Sequence, residues 1–266
     1  MTNAQWSITP VYLTDQACYT AKNHGKSLML NIFHCGHHTL LTAVNNPLNI
    51  TQDWFSPEYW QRKGAIIAEK KGRSTTWFFD YSNGVGVLRH YWRGGLIGKL
   101  LSDQYLYTGL KNTRTYKEYQ LLIELHQRGL RVAVPLAARI TVNKAVYRGD
   151  LITESITGAE SLLEILKQRP LSVDEITDIG HTIAEFHQQG VFHADLNINN
   201  IMLDNSGKVY LIDFDRGRLI TPLDPSLKGN IQRLNRSFIK EKRRNSGFFW
   251  DSKQWQQLFN AYQNKL

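Results

Sequence analysis

Cysteine is scarce in this chain. Its 266 residues include only Cys18 and Cys35, too few for a disulfide framework, so nothing in their number argues for secretion. Long apolar runs are missing too: no stretch approaches the ~20 residues that a membrane-spanning helix needs. The opening residues, Met1 to Leu13, show no basic segment followed by an apolar run, so no signal peptide is expected. Internal repeats and low-complexity tracts are lacking as well. What remains is ordinary in bulk: 42% hydrophobic and 21% charged residues suffice for a real core and exclude a disordered chain, a coiled coil and a collagen-like repeat. The length suits one large domain or a two-lobed one. The expectation is a soluble, cytoplasmic protein.

Charge of one sign dominates. Lysine and arginine number 32 against 23 acidic residues, a formal net charge of +9. That balance favours anionic partners such as nucleotides, nucleic acid, phosphorylated substrates or an anionic membrane face. Seven tryptophans beside such cations suit a membrane–water boundary, although a solvated surface over an aromatic core has the same composition. No signature of a nucleic-acid-binding module is present, so a nucleic-acid partner is not expected.

Residues 1–53 read as an irregular N-terminal extension, with a turn at Asn46-Pro47. From Gly64 to Tyr91 the pattern becomes strand-like. Ala65 to Ala68, a turn holding Gly72, and Thr75 to Phe79 are followed by Asn83-Gly84, a strong hairpin signal, and a returning strand from Val85. A helix is expected from about Thr115 to Arg128, with Thr115 and Glu118 at capping-box spacing and Gly129 at its end. Strands at Val132–Ile140 and Lys144–Thr153 precede a helix from Ser161 to about Gln168. The next helix is opened by Ser172 and Glu175, carries Ile176, Ile179, Ile183 and Phe186 at helical spacing, and closes at Gly190. Short strands and a basic helical remainder complete the chain. The fold class is therefore α+β, with an antiparallel-sheet N-lobe over residues 54–154 and a mainly helical C-lobe over 155–266.

The chemistry is concentrated in His193-Ala194-Asp195-Leu196-Asn197-Ile198-Asn199-Asn200, followed after an apolar hairpin by Asp213-Phe214-Asp215. This is the layout of a kinase catalytic loop and its metal-binding Asp-Phe pair. Phosphoryl transfer requires a carboxylate to orient and deprotonate an acceptor hydroxyl, a role open to Asp195. It also requires oxygen ligands for Mg²⁺, open to Asn200 and Asp213. A lone His-x-Asp would read as a turn with a buried histidine; two motifs in order behind a capped helix do not. Upstream, the Gly72 turn is the candidate to bring backbone N–H groups over the phosphates of ATP. Arg89 stands where kinases hold the phosphate-binding lysine, with Lys99 as second choice. Glu118 is either the partner of that cation or half of a capping box.

These stretches, with Leu88-Arg89-His90-Tyr91-Trp92-Arg93-Gly94-Gly95 and Leu234-Asn235-Arg236-Ser237-Phe238, resemble the lipopolysaccharide kinases, and among them the kinases of 3-deoxy-D-manno-octulosonic acid (Kdo). The similarity runs from about residue 54 to the C-terminus. The resemblance implies a protein-kinase-like fold and transfer of phosphate from ATP to the Kdo 4-hydroxyl of a Kdo-bearing lipid A precursor. It places the enzyme at the cytoplasmic face of the inner membrane, with Asp195 as the catalytic base. Two positions depart from ordinary kinases: Ser74, where a second glycine is expected, and Asp215, which replaces the usual glycine after Asp-Phe and looks normal for the family.

The basic segment from Lys228 to Trp255, with Phe248-Phe249-Trp250, suits peripheral attachment to an anionic surface as well as it suits a packed helix with a solvated face. His34-Cys35-x-His37-His38 is a polar loop by its adjacent ligands, and no zinc is expected. Catalytic-loop residues do not encode the acceptor. A kinase for a heptose, a small molecule or a protein shares this pattern, as does a binding-only pseudokinase.

Overall fold

Strand-forming residues of the first half pair into one antiparallel sheet. The computed structural model describes residues 7–12, 17–22, 30–71, 75–92, 103–222 and 224–266. It divides into two units: Met1–Glu124 with Val134–Ser155, and Leu125–Ala133 with Ile156–Leu266.

In the first unit the strands are β1 (Ser7–Tyr12), β2 (Ala17–Lys22), β3 (Leu30–Cys35), β4 (His38–Ala43), β5 (Ile66–Lys71), β6 (Thr75–Asp80), β7 (Val85–His90), β8 (Tyr105–Leu106), β9 (Pro135–Asn143) and β10 (Val146–Glu154). They form a ten-stranded sheet in the order β1-β2-β3-β4-β9-β10-β7-β6-β5, with β8 paired to β10. Residues 1–53 are thus not the irregular extension expected: they hold four strands, and β4 pairs with β9 from His38↔Thr141 to Thr42↔Ala137. Threonine conceals β4. Thr39 and Thr42 are buried beside Leu40 and Leu41, so the apolar/polar alternation that marks a half-buried strand is absent. Two histidines of the β3–β4 hairpin bond to hydroxyls, His34 Nδ1 to Thr39 Oγ1 at 3.0 Å and His38 Nδ1 to Thr141 Oγ1 at 2.9 Å.

The aromatic residues before β5 brace this sheet. Helix α1 (Pro57–Arg62) is capped by the Ser56 hydroxyl, which accepts from the Tyr59 N–H. It presents Trp60 to Phe79, stacked at 4.2 Å, while Trp54 meets both rings edge-on. Phe79 lies opposite Gly86, where an added Cβ would fall 2.3 Å from the ring. Glycine at that strand position is what admits the aromatic. Helix α2 (Arg114–Gln127) follows β8 in sequence.

The second unit contains α3 (Leu162–Gln168), α4 (Val173–Gln188), α5 (Ser226–Arg244) and α6 (Ser252–Lys265). Short strands β11 (Glu160–Ser161), β13 (Ile201–Leu203) and β14 (Val209–Leu211) form one small sheet, and β12 (Val191–Phe192) pairs with β15 (Arg218–Leu219). The capping box of Ser172 and Glu175 opens α4 as expected. Its Gly180 lets α6 approach, since a Cβ there would sit 2.5 Å from the Leu258 carbonyl oxygen. Helix α5 buries Leu227, Ile231, Leu234 and Phe238, and Phe238 stacks on Trp250 at 3.9 Å. The C-terminal aromatics are therefore mostly core: Phe248 and Trp250 are buried, and only Phe249 of the three is exposed. Among the described residues no helix is long and apolar enough to cross a membrane.

His187 of α4 is buried against α6, its Nδ1 2.8 Å from the Tyr262 hydroxyl. Burial pulls its pKa from 6.5 down to about 4. The unfolded chain takes up a proton near pH 6.5 and the folded one only near 4, so stability is complete above that window and falls as pH drops through it. At ~1.4 kcal/mol per unit the loss is about 3 kcal/mol. Thermal melts of wild type and His187→Gln should show a shallower acid decline in the variant; parallel declines would contradict this.

Candidate active site

Asp195 sits in a loop between β12 and β13 whose shape is set by its apolar residues and asparagines. Leu196 and Ile198 are buried, and the intervening Asn197 folds back, its Nδ2 donating to the Asp195 carbonyl at 2.8 Å while its Oδ1 accepts from the Asn199 N–H at 2.9 Å. Asn200 Nδ2 donates to the same carbonyl at 2.9 Å. That bond orients the amide, so Oδ1 is the atom Asn200 can offer to a cation. The Asn200 carbonyl accepts from the Ile212 N–H at 3.0 Å, which ties the loop to the residue preceding Asp213.

His193 makes the second tie. It is buried, with Nε2 2.9 Å from the Ile212 carbonyl and Nδ1 3.2 Å from the Asp195 N–H. A carbonyl only accepts and an amide only donates, so the ring carries its proton on Nε2. Burial holds its pKa below the usual histidine value, which agrees with that neutral form. The ring packs on Phe214 at 4.7 Å, and Phe214 stacks on Phe186 of α4 at 5.9 Å. Phe214 is fully buried. It anchors Asp213, whose φ of 63° is left-handed, a conformation uncommon outside glycine and held here by both neighbours' contacts.

A third support was not legible in the sequence. One stripe of α5, spaced three and four residues apart, docks on the loop. Asn230 exchanges two bonds with the His193 backbone, accepting at 3.0 Å and donating at 2.9 Å. Arg233 donates through Nε and Nη2 to Asp195 Oδ1, the former at 3.0 Å. The Ser237 hydroxyl accepts from the Ile198 N–H at 3.2 Å. The available signal was polar residues at helical spacing beside a buried apolar stripe, but it does not name a partner some 40 positions away.

Arg89 and Glu118 come together in the first unit. Arg89 of β7 donates to Glu118 Oε1 at 2.5 Å, and the Tyr91 hydroxyl donates to Oε2 at 2.5 Å. The Glu118 side chain is fully buried. This decides between the two readings of Glu118: it is the cation's partner, not a cap. The cap is Thr113, whose hydroxyl accepts from the Tyr116 N–H at 3.2 Å. Thr115 lies inside the helix against Gly149, where a Cβ would fall 1.8 Å from its Oγ1. Gly72 and Lys99 lie outside the described residues.

A neighbouring ion network also escaped notice. Asp150 of β10 pairs across the sheet with both His90 and Arg139, at 2.6 Å and 2.9 Å. Asp103 bridges His90 at 3.4 Å and Arg148 at 2.6 Å. Burial lowers the His90 pKa, but the two aspartates outweigh it and the net shift is upward.

Because Glu118 is buried between two donors, loss of either should weaken the other. Tyr91→Phe should destabilise by about 1–3 kcal/mol, the usual penalty for removing a partner from a buried polar group. In a urea-unfolding cycle with Glu118→Gln the two losses should be non-additive by ~1 kcal/mol or more. Simple additivity would show that the phenol and carboxylate do not depend on each other.

The chain matches the model of the lipopolysaccharide kinase (Kdo/WaaP) family over residues 57–262. It is 42% identical over 186 residues to a protein of Vibrio cholerae serotype O1 named 3-deoxy-D-manno-octulosonic acid kinase, covering 70% of this chain and 79% of that relative. A Vibrio parahaemolyticus protein of the same name is 44% identical over 191 residues, 72% of this chain and 80% of the relative. The one from Mannheimia succiniciproducens is 38% identical over 246 residues, 89% of this chain and all of the relative. The α+β architecture, an antiparallel sheet followed by a helical unit, is the kinase-like fold expected of such proteins. With the catalytic-loop arrangement and a match spanning most of its length, the chain belongs to the lipopolysaccharide kinase (Kdo/WaaP) family.

Proposed function

We propose that this enzyme transfers the γ-phosphoryl group of ATP to the 4-hydroxyl of Kdo on a Kdo-bearing lipid A precursor, a step in building the lipopolysaccharide core. The observation that carries the reading is the joint placement of Asp195, Asn200 and Asp213 around one buried histidine, in a chain whose relatives are named Kdo kinases. The acceptor oxygen forms a bond to the γ-phosphorus as the bond from that phosphorus to the bridging β–γ oxygen breaks. ADP leaves, and the hydroxyl proton passes to Asp195. Arg89, held by Glu118 and Tyr91, is assigned to the α and β phosphates, and the Gly72 turn to their backbone contacts.

Mg²⁺ fits the donor set. Asn200 Oδ1 and the Asp213 carboxylate are hard oxygen ligands, and Mg²⁺ in phosphotransferases takes one or two such groups, completing its shell with waters and substrate phosphates. Among the described residues there is no group of three or more His, Cys, Asp or Glu that could hold a metal, which is compatible with an ion shared with ATP. When bound, the ion would neutralise charge on the phosphates.

The experiment is an assay of Kdo–lipid A precursor with ATP and the purified chain. Acceptor-dependent ADP release is expected, and Asp195→Ala should lower turnover by ~10²–10⁴-fold while the protein stays folded, the usual contribution of a general base. A variant within tenfold of wild type would remove Asp195 from the role.

The acceptor's lipid keeps it in a bilayer, so attachment to the cytoplasmic face of the inner membrane belongs to the same proposal. Arg236, Lys240 and Arg243 fall at helical spacing on α5 and are exposed, and Ile239 and Phe249 are exposed near them in sequence. Each cation near an anionic surface is worth ~1 kcal/mol, screened beyond ~8 Å at physiological salt. Sedimentation with anionic vesicles should show binding that is lost at high salt and in the double variant Lys240→Glu, Arg243→Glu. Equal binding to neutral vesicles, or none to either, would confine the basic surface to the substrate's own phosphates.

A further inference from the structure

The contact between Arg233 and Asp195 is out of proportion to any structural need. Both side chains are about half exposed, 49% and 53%, and an ion pair in that setting contributes only ~0–1 kcal/mol to stability. The loop is already fastened to α5 by Asn230 and Ser237, on either side of the arginine. Arg233 is thus dispensable as a fastener, yet its guanidinium lies directly on the carboxylate that would meet the acceptor hydroxyl.

The geometry of the pair is one-sided. Nε and Nη2 both address Asp195 Oδ1, which leaves Oδ2 to accept a proton and the Nη1 edge to donate to a second anion. A hydroxyl acceptor and a carboxylate donor-fork therefore stand side by side. An acceptor that carries a hydroxyl and an ionised carboxylate on one sugar ring would engage both at once. The acid in the names of the relatives has that chemistry.

We propose that Arg233 is a specificity-determining residue that binds the carboxylate of an acidic sugar acceptor while holding Asp195. The inference rests on the acceptor reading given above and adds the group by which that acceptor is distinguished from neutral sugars. Arginine suits the task because its planar fork matches a carboxylate in two-point contact, which a lysine ammonium does not reproduce.

The test compares Kdo–lipid A precursor with its counterpart in which the sugar carboxylate has been reduced to an alcohol. Wild type should show a KM for the reduced acceptor about tenfold higher or more, equivalent to ~1.4 kcal/mol. Arg233→Ala should raise the KM for the acid by a similar factor, leave the ATP KM unchanged, and no longer distinguish the two acceptors. Arg233→Lys should recover only part of the discrimination. Equal wild-type KM values for the two acceptors, an arithmetic that needs no variant to fold, would overturn the inference. So would an Arg233→Ala loss of the same factor on both acceptors, which would mean that the arginine serves Asp195 or the transferred phosphate. Transfer by the wild type to neither acceptor would overturn the acceptor reading itself, and the inference with it.

Discussion

The imidazole of His193 is buried so deeply that desolvation outweighs the favourable charges of Asp213 and Asp195, so it is held neutral, and neutrality gives it one donor and one acceptor. Both are used on backbone. The donor reaches the Ile212 carbonyl beside Asp213 and the acceptor takes the N–H of Asp195, so one ring ties together the two backbone segments that carry these aspartates. A protonated ring would lose the Asp195 contact, because two N–H groups cannot accept. Phe214, packed at a tilt on the same ring and stacked on Phe186, turns that link into a packed unit, and α5 clamps its other side through Asn230.

The two arginine–carboxylate pairs show how burial decides what an ion pair does. Glu118 has no solvent, so its charge leans on the donors around it, Arg89 and the Tyr91 hydroxyl among them, and removing one leaves a desolvated carboxylate less well supported. That pair is part of the first unit's framework and holds Arg89 in one place. Asp195 is half exposed, its arginine equally so. Water can replace either partner at small cost, which makes the contact exchangeable.

What could be read from the sequence was local. The loop of His193, Asp195 and Asn200 stood out because these residues lie within eight consecutive positions, and the Ser172–Glu175 box because a cap and its partner are three apart. The failures share the opposite property. Strand β4 carries two buried threonines, Thr39 and Thr42, whose polarity breaks the alternation. The start of α2 was misplaced because Thr113 and Thr115 are two residues apart and only the second has glutamate at box spacing, although that glutamate is turned to Arg89 and Tyr91. The sequence left Phe248 and Trp250 open between an interfacial and a packed role; both are buried, Trp250 stacked on Phe238 of α5. In each case the deciding partner is distant in sequence, and local pattern holds no information about it.

The most direct measurement is positional. Kdo–lipid A precursor, ATP labelled at the γ-phosphate and the purified protein would be incubated together, and the phosphorylated product analysed by phosphorus–proton correlation NMR. The expected result is one new phosphate ester on the Kdo 4-oxygen, carrying the label. A label on the lipid A sugars or on another Kdo oxygen, or ATP consumption with no labelled lipid, would contradict the account of what Asp195 and its neighbours are arranged to do.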